Sequence, residues 1–254
     1  MRASRRGHGD EERTGVAGLA YRVKSTYAGA VRATGRVLTA VHVLPKEAPP
    51  REKRVRHWFH SLFQVHDSLA IARLGVPWWT YDAIDKVDAW LKDRARPIRV
   101  FEYGSGASTI WLSARADEVH TVEHHKGFAD HIGPKLATFP NISMMVVEPV
   151  ESPLPAVPSE KSGNRGLDFS DYVAAIDKVG GTFDVVVVDG RVRAACLKAA
   201  IPHLAEDGMV IFDNSRRRRY RTAIETSGLT ELKLSGLTPT LPYPDQTSLL
   251  AHAK

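Results

Sequence analysis

The stretch Arg99–Thr109, RVFEYGSGAST, decides the fold of this chain. Its apolar beginning predicts a short buried strand, and Gly104 and Gly106 allow a sharp turn against which a ligand can lie. A helix is predicted to begin at Ser108, which would offer backbone N–H groups just beyond the turn. A second acid, Glu123, stands at the end of the next predicted strand. This arrangement is typical of a site for a nucleotide-type cofactor.

Strands alternate with helices from about residue 97 onward, which predicts a doubly wound, Rossmann-like α/β sheet. The valine-rich segment Phe183–Asp189 predicts a central parallel strand buried on both faces. The other predicted strands lie at Ile98–Phe101, Glu118–Val122, Ile142–Val147, Met209–Phe212, near Leu232, and at Ser248–Leu250. The predicted helices are His57–Leu74, Trp78–Leu91, Ser108–Ala114, Gly127–Phe139, Asp168–Val179 and Ala194–Leu204.

The basic charge of the chain is concentrated near its beginning. Residues 1–60 contain 13 Lys and Arg against 5 Asp and Glu, so the net charge of +6 comes from this segment. Because the rest of the chain is not basic, nucleic acid is not favoured as a partner. We expect residues 1–56 to form an extension, disordered over 1–14, and residues 57–254 to form the domain, with a helical lead-in over 57–96.

Residues 16–44 predict a basic amphipathic helix, because apolar residues recur every three or four positions. Such a helix can lie on an anionic membrane surface, dock on a partner, or fold onto its own domain, and all three alternatives stay open. The chain has one cysteine, Cys196, which excludes an internal disulfide. No apolar run reaches the length of a membrane span and no signal-peptide pattern is present, so a cytoplasmic protein is expected, with peripheral membrane contact as the alternative.

The residues around the glycine turn favour one type of cofactor. A dinucleotide turn has a third glycine where this chain has Thr109. Glu102, two residues before Gly104, would repel a pyrophosphate but suits a cationic amino-acid ligand. Glu123, at the end of the second strand, can accept hydrogen bonds from two ribose hydroxyls.

These residues resemble the class I S-adenosylmethionine-dependent methyltransferases. The likeness rests on Val100–Gly106, Val122–Glu123, Phe183–Asp189 and Gly208–Asn214, and it covers about residues 97–252. It implies a seven-stranded sheet of order 3-2-1-4-5-7-6 with a late antiparallel hairpin. It also implies that S-adenosylmethionine is bound by Glu102, Tyr103, Gly104, Ser105, Gly106, Ser108, Glu123, Glu148 and Asp189.

Three polar residues at later strand ends, Asp189, Asp213 and Asn214, resemble the magnesium ligands of catechol-type O-methyltransferases. In the alternative interpretation, Asp213 and Asn214 cap a turn, and Asp189 orients the substrate or the sulfonium without a metal. The chain departs from that subfamily at Val192, which stands where the likeness implies a lysine base. The candidate catalytic residues are Asp189, at the end of the fourth strand, and His124, because it follows the ribose acid and histidine is the usual proton acceptor near neutral pH.

The sequence predicts methyl transfer to a hydroxyl of a small-molecule or glycan acceptor. Five arginines, Arg216–Arg219 and Arg221, follow the fifth strand and suggest that the acceptor is anionic, although a solvated loop would explain them equally well. Two other functions are alternatives. One is a nicotinamide-dependent oxidoreductase, which Glu102 and Thr109 disfavour, and the other is a non-catalytic binding protein on the same fold.

Overall fold

The computed structural model describes residues 29, 31, 33–35, 37–40, 42, 44–64, 68–161 and 163–253. The predicted disorder of residues 1–14 and the first half of the predicted amphipathic helix lie outside these residues. The chain divides into two compact units, Met1–His66 and Asp67–Lys254. The boundary between these units lies ten residues after the predicted boundary at residue 56. The division into an extension over 1–56 and a domain over 57–254 stays a prediction.

In the first unit, the described residues between 29 and 40 are helical, and a second helix, α1, spans Arg54–Ser61. The ring of Phe59 meets Phe63 edge to face at 5.6 Å, and His60 Nε2 donates to the carbonyl oxygen of Pro45 at 3.1 Å. The predicted single helix over His57–Leu74 is wrong, because residues 62–64 form turns. Among the described residues, no helix has the length and apolar character needed to cross a membrane.

The second unit contains eight further α-helices in its described part, and most are short. They are α2 (Ser68–Arg73), α3 (Tyr81–Lys92), α4 (Ala107–Ser113), α5 (Lys126–Leu136), α6 (Ser170–Val173), α7 (Ala175–Val179), α8 (Arg193–Ala200) and α9 (Arg218–Glu225). Helix α3 begins later than predicted because Thr80 caps it, with its hydroxyl accepting from the backbone N–H of Ala83 at 3.4 Å.

The second unit also contains the strands, seven of which form one sheet. They are β1 (Arg99–Tyr103), β2 (Glu118–Glu123), β3 (Ile142–Val146), β4 (Val150–Glu151), β5 (Leu167–Asp168), β6 (Phe183–Val188), β7 (Leu204–Asp213), β8 (Thr230–Gly236) and β9 (Asp245–Ala251). The large sheet has the order β3-β2-β1-β6-β7-β9-β8, and β4 and β5 form a separate small hairpin. Counted within the large sheet alone, this is the predicted order 3-2-1-4-5-7-6.

The sheet has the predicted pairing as well as the predicted order. Strands β1, β2, β3, β6 and β7 pair in parallel, whereas β9 is antiparallel to both β7 and β8. All six residues of β6 are buried, which confirms the prediction of a central strand from its run of valines. The doubly wound, Rossmann-like α/β fold is thus confirmed.

The strand order reverses between β1 and β6, and there the two backbones touch. A Cβ atom on Gly104 would lie 3.0 Å from the Cα atom of Gly190, and Gly104 has a φ of +98°. A Cβ atom on Gly190 would lie 2.0 Å from the hydroxyl oxygen of Tyr172. The backbone N–H of Asp189 donates to the carbonyl oxygen of Tyr103 at 3.1 Å. Ligands of open α/β sheets bind at such a switch point.

The two glycines of the turn are expected to differ in what they tolerate. Gly104→Ala places a methyl group against the backbone of Gly190 at a positive φ, so we expect it to lower the free energy of unfolding by about 2 kcal/mol or more. Gly106 has a φ of 172° and its added Cβ meets nothing closer than 3.9 Å, so Gly106→Ala should cost less than about 1 kcal/mol. Urea denaturation compares the two variants. Equal losses would contradict this account of the turn.

Candidate cofactor site

The glycine turn is held from below by the carboxyl group of Glu102. The backbone N–H of Gly106 donates to Thr109 Oγ1 at 2.9 Å, and Thr109 Oγ1 donates to Glu102 Oε2 at 2.5 Å. Ser108 Oγ donates to Glu102 Oε1, also at 2.5 Å. A buried network therefore joins the end of β1, the turn and the first residues of α4.

Glu102 supports the turn rather than facing a ligand. Its side chain is fully buried, and both of its oxygens accept hydrogen bonds from α4. Burial raises the pKa of Glu102 to about 8, so the group is largely protonated at neutral pH. The expected contact between an ionised Glu102 and a cationic ligand has no support in this geometry. Ser108 is another expected cofactor contact, and its hydroxyl likewise donates to Glu102.

Thr109 has a role that its sequence position alone does not predict. In the sequence it is a departure from the third glycine of a dinucleotide turn, whereas in the structure it is the third residue of α4 and its hydroxyl accepts from the N–H of Gly106, which precedes the helix. Its spacing of three residues from Gly106 is the signal that could have revealed this, because side chains at that helix position bond back to the cap residue.

Glu123 lies beside the turn, at the carboxyl end of β2. Its Oε2 accepts from the backbone N–H of Ser105 at 3.2 Å, and its Oε1 accepts from the backbone N–H of His125 at 2.8 Å. Ser105 Oγ is also 2.9 Å from Thr121 Oγ1 on the same strand. Burial alone would raise the pKa of Glu123, but the adjacent His124 ring and the two backbone donors outweigh it and lower this pKa. Glu123 is therefore an ionised carboxylate attached to the turn.

His124 lies behind Glu123. Its Nδ1 is 2.9 Å from Glu123 Oε1, outside hydrogen-bond geometry, so the contact is electrostatic. The ring packs against Tyr172 and Phe169, with centroids 5.6 and 6.0 Å apart. These contacts assign His124 to the support of Glu123, and they do not bring it to Asp189, the other candidate catalytic residue.

Two further expected cofactor residues lie at different depths. Tyr103 is a core residue, with a buried ring and a hydroxyl that donates to the carbonyl oxygen of Val173 at 2.7 Å. The side chain therefore packs in the core and gives the expected cofactor contact no support, so that contact stays a prediction. Glu148 is exposed just past β3, where the N–H of Val147 donates to the carbonyl oxygen of Glu123 at 2.8 Å.

The carboxyl ends of β6 and β7 are joined by a buried arginine. Arg193 Nη2 donates to Asp189 Oδ1 at 2.6 Å and to the carbonyl oxygen of Asp189 at 2.9 Å. Arg193 Nη1 donates to the carbonyl oxygen of Asp213 and lies 3.6 Å from Asp213 Oδ2. Thr247 Oγ1 donates to Asp213 Oδ1 at 2.9 Å. One guanidinium thus faces two carboxyl groups on neighbouring strands.

This arrangement does not fit the expected magnesium site. The cation between Asp189 and Asp213 is Arg193, and the amide of Asn214 turns away to donate to Asp245 Oδ2 at 2.8 Å. Asn214 has a φ of +51°, which supports the alternative interpretation that it belongs to a turn. Within the described ranges, no group of three His, Cys, Asp or Glu residues is suited to hold a metal ion.

The two acids facing Arg193 resist ionisation in spite of its charge. Burial and the charge of Asp189 raise the pKa of Asp213 to about 8. Removal from water also raises the pKa of Asp189, although Arg193 opposes this change. Asp213 is buried, whereas the side chain of Asp189 keeps 21% of its surface exposed. Asp189 is therefore the more exposed member of the pair.

The protonation of Glu102 predicts how stability depends on pH. Between its ordinary pKa of 4.5 and about 8, the folded chain keeps a proton that the unfolded chain releases. The folded state therefore loses stability as pH rises through this window, by a few kcal/mol at most. We expect Glu102→Gln to remove part of this loss, so that its Tm falls less than that of the wild type between about pH 5 and about pH 8. Glu206→Gln changes an exposed acid and should keep the wild-type slope. Parallel slopes for all three proteins would show that Glu102 ionises normally.

No protein-family model matches this chain, and no curated protein matches it. Several solved structures are similar to it. A methyltransferase-like protein from Silicibacter pomeroyi is 22% identical, with a TM-score of 0.42 over 66% of this chain and 87% of that chain. A TehB-like SAM-dependent methyltransferase from Corynebacterium glutamicum is 15% identical, with a TM-score of 0.45 over 77% and 99%. A precorrin-6y C5,15-methyltransferase from Geobacter metallireducens is 10% identical, with a TM-score of 0.48 over 67% and 88%. At these values the activity has to be argued from the residues of this chain.

Proposed function

We propose that this chain binds S-adenosylmethionine at Gly104–Gly106 and directs transfer of its methyl group to an acceptor hydroxyl. The observation that carries the proposal is the position of Glu123, an ionised acid bonded to the turn at Ser105, beside the switch point between β1 and β6. When bound, S-adenosylmethionine would supply an electrophilic methyl group on a sulfonium centre. The protein has to hold it, orient the acceptor and take up a proton.

The donors and acceptors of the turn suit this cofactor better than a dinucleotide. The N–H groups of Gly104, Ser105 and Gly106 donate to Val122, Glu123 and Thr109, respectively. A pyrophosphate needs free N–H groups at this position, and these three are already used. Glu123 instead offers carboxylate oxygens, which accept from a ribose diol. This internal bonding is an argument against the nicotinamide-dependent alternative.

The proposed cofactor lies along the strand ends on both sides of the turn. Glycine at 104 and at 190 lets the backbones of β1 and β6 come into contact there, which brings the turn and Asp189 together. Glu148, exposed beyond β3 on the same edge of the sheet, is the proposed neighbour of the adenine. Glu102 and Ser108 act indirectly in this proposal, because they hold the turn in shape.

We assign the role of proton acceptor to Asp189. Its carboxyl group is partly exposed beside Gly190, and its raised pKa brings it closer to the range in which a base works efficiently. Arg193 fixes the carboxyl group by donating to both its Oδ1 atom and its carbonyl oxygen. His124 is the weaker candidate because its ring packs behind Glu123, against Tyr172 and Phe169. The proposed acceptor is a hydroxyl of a small molecule or glycan, since a hydroxyl must lose a proton.

Binding of S-adenosylhomocysteine tests the cofactor assignment. We expect isothermal titration calorimetry to show saturable binding of S-adenosylhomocysteine to the wild type. At the same concentrations, NAD should show no binding. Glu123→Ala removes the acceptor of the ribose hydroxyls and should weaken binding about tenfold or more. Glu118→Ala, on the same strand but at its other end, should bind like the wild type. Unchanged affinity in Glu123→Ala would refute the role of Glu123, and binding of NAD alone would support the oxidoreductase.

Asp189→Asn separates the proton acceptor from a cofactor contact. We expect this variant to bind S-adenosylhomocysteine within a fewfold of the wild type and to lose about a hundredfold or more of its methyl transfer. Transfer is followed as S-adenosylhomocysteine formed from S-adenosylmethionine in the presence of a metabolite extract. Asp171→Asn, an exposed acid on α6, serves as the matched control. If Asp189→Asn loses cofactor binding, Asp189 is a cofactor contact and not the proton acceptor. If the wild type binds the cofactor tightly but transfers no methyl group, the non-catalytic alternative is favoured.

A further inference from the structure

A small cavity opens next to Asp189 and is lined by basic side chains. It has a volume of about 270 Å³ and lies between residues 156–161 and the first residues of α8, with Gly190 in its lining. Among the described residues of its lining, four are basic and one, Glu160, is acidic; the basic ones are Lys161, Arg191, Arg193 and Arg219. The volume is below the usual range for sites that enclose a whole ligand, and it suits one functional group of a larger molecule.

Arg191 lacks the partners that a partly buried cation normally has. Its Nε atom is buried and has no hydrogen-bond acceptor in the described part of the chain. Burial and the nearby positive charge of Arg193 lower the pKa of the Arg191 guanidinium, although Tyr172, Tyr220 and Glu123 oppose this change. Burying a donor without an acceptor destabilises the folded state. An anion in the cavity would supply the missing acceptor and remove this cost.

Two arginines close to Arg191 in the chain or in the run after β7 have carboxylate partners, whereas Arg219 has none that the structure describes. Arg193 faces Asp189 and Asp213 on the neighbouring strand ends, and Arg221 binds Glu231 with two donors, at 2.8 and 2.7 Å. Arg219 has no carboxylate partner among the residues described, and its guanidinium lies over the ring of Tyr220 at 4.8 Å. Of the arginine run after β7, Arg219 is the member that lines the cavity.

We infer that this cavity binds the anionic group of the acceptor, a phosphate or a carboxylate, between Arg191 and Arg219. Guanidinium groups hold both kinds of oxyanion through paired N–H donors. Gly190 lies in the lining and follows Asp189 directly, so an acceptor anchored here extends toward the proposed proton acceptor. The amino end of α8, which also borders the cavity, adds a favourable dipole for negative charge. That the anion belongs to the methyl acceptor rests on the proposed function. That the cavity binds an anion does not.

Titration with inorganic phosphate and, separately, with acetate tests the site in the full chain loaded with S-adenosylhomocysteine. We expect saturable binding of at least one of the two anions, and the tighter one indicates which oxyanion the acceptor carries. Arg191→Gln and Arg219→Gln should each weaken binding about tenfold, because each removes charge-assisted hydrogen bonds. Arg218→Gln, with the same charge change on the same helix but outside the cavity, should change binding less than about twofold.

Three outcomes would overturn the inference. In the first, neither anion binds saturably. In the second, all three arginine variants weaken binding equally. In the third, the single variants Arg191→Gln and Arg219→Gln both bind like the wild type. If Arg191→Gln does not fold, Arg191→Lys, which keeps the charge but loses the paired donors, replaces it and should also bind more weakly. Two further titrations of the same proteins separate the two proposals: S-adenosylhomocysteine is added to protein that has received no cofactor, and each anion is titrated again without S-adenosylhomocysteine. Cofactor binding without anion binding refutes only this site, whereas anion binding without cofactor binding refutes the methyl-transfer proposal and leaves the site.

Discussion

The contact between the backbones of Gly104 and Gly190 is the constraint on which the site depends. Side chains are excluded from both positions, so β1 and β6 approach each other at the point where the strand order reverses. The turn after β1 then lies beside the end of β2, which allows Glu123 to accept from the N–H of Ser105. The same geometry sets the position of Asp189, because its backbone N–H donates to the carbonyl oxygen of Tyr103. The cleft is thus formed by strand ends rather than by mobile loops.

Charge in the site is balanced within the chain. Arg193 stands between Asp189 and Asp213, so the positive charge that a metal ion would bring to these carboxyl groups is already supplied by a side chain. A carboxylate that is taken out of water needs such a partner, because removing its charge from water costs several kcal/mol. Arg191, by contrast, is left with a buried donor that nothing within the described part satisfies. One arginine therefore completes the fold, and the other is available to a ligand.

The sequence predicted the sheet well because its signals are local. A run of valines at β6 and the glycines after β1 are recognisable without knowing the neighbours, and the strand order followed from the resemblance. What it could not predict are contacts between distant segments, such as Arg193 bridging the ends of β6 and β7. The direction of Glu102 was missed because a strand end gives two opposite faces, and its partners are in the next helix.

The internal bonding of the glycine turn has a consequence for the thermodynamics of binding. Its three N–H groups are satisfied by the protein, and Glu102 joins the turn to α4 through two hydroxyl groups. The turn therefore pays its conformational entropy during folding and not when a ligand arrives. A preorganised site loses little further freedom on association, so more of the interaction free energy appears as affinity. In the proposed complex, Glu102 therefore acts on ligand affinity through the turn that it holds in place.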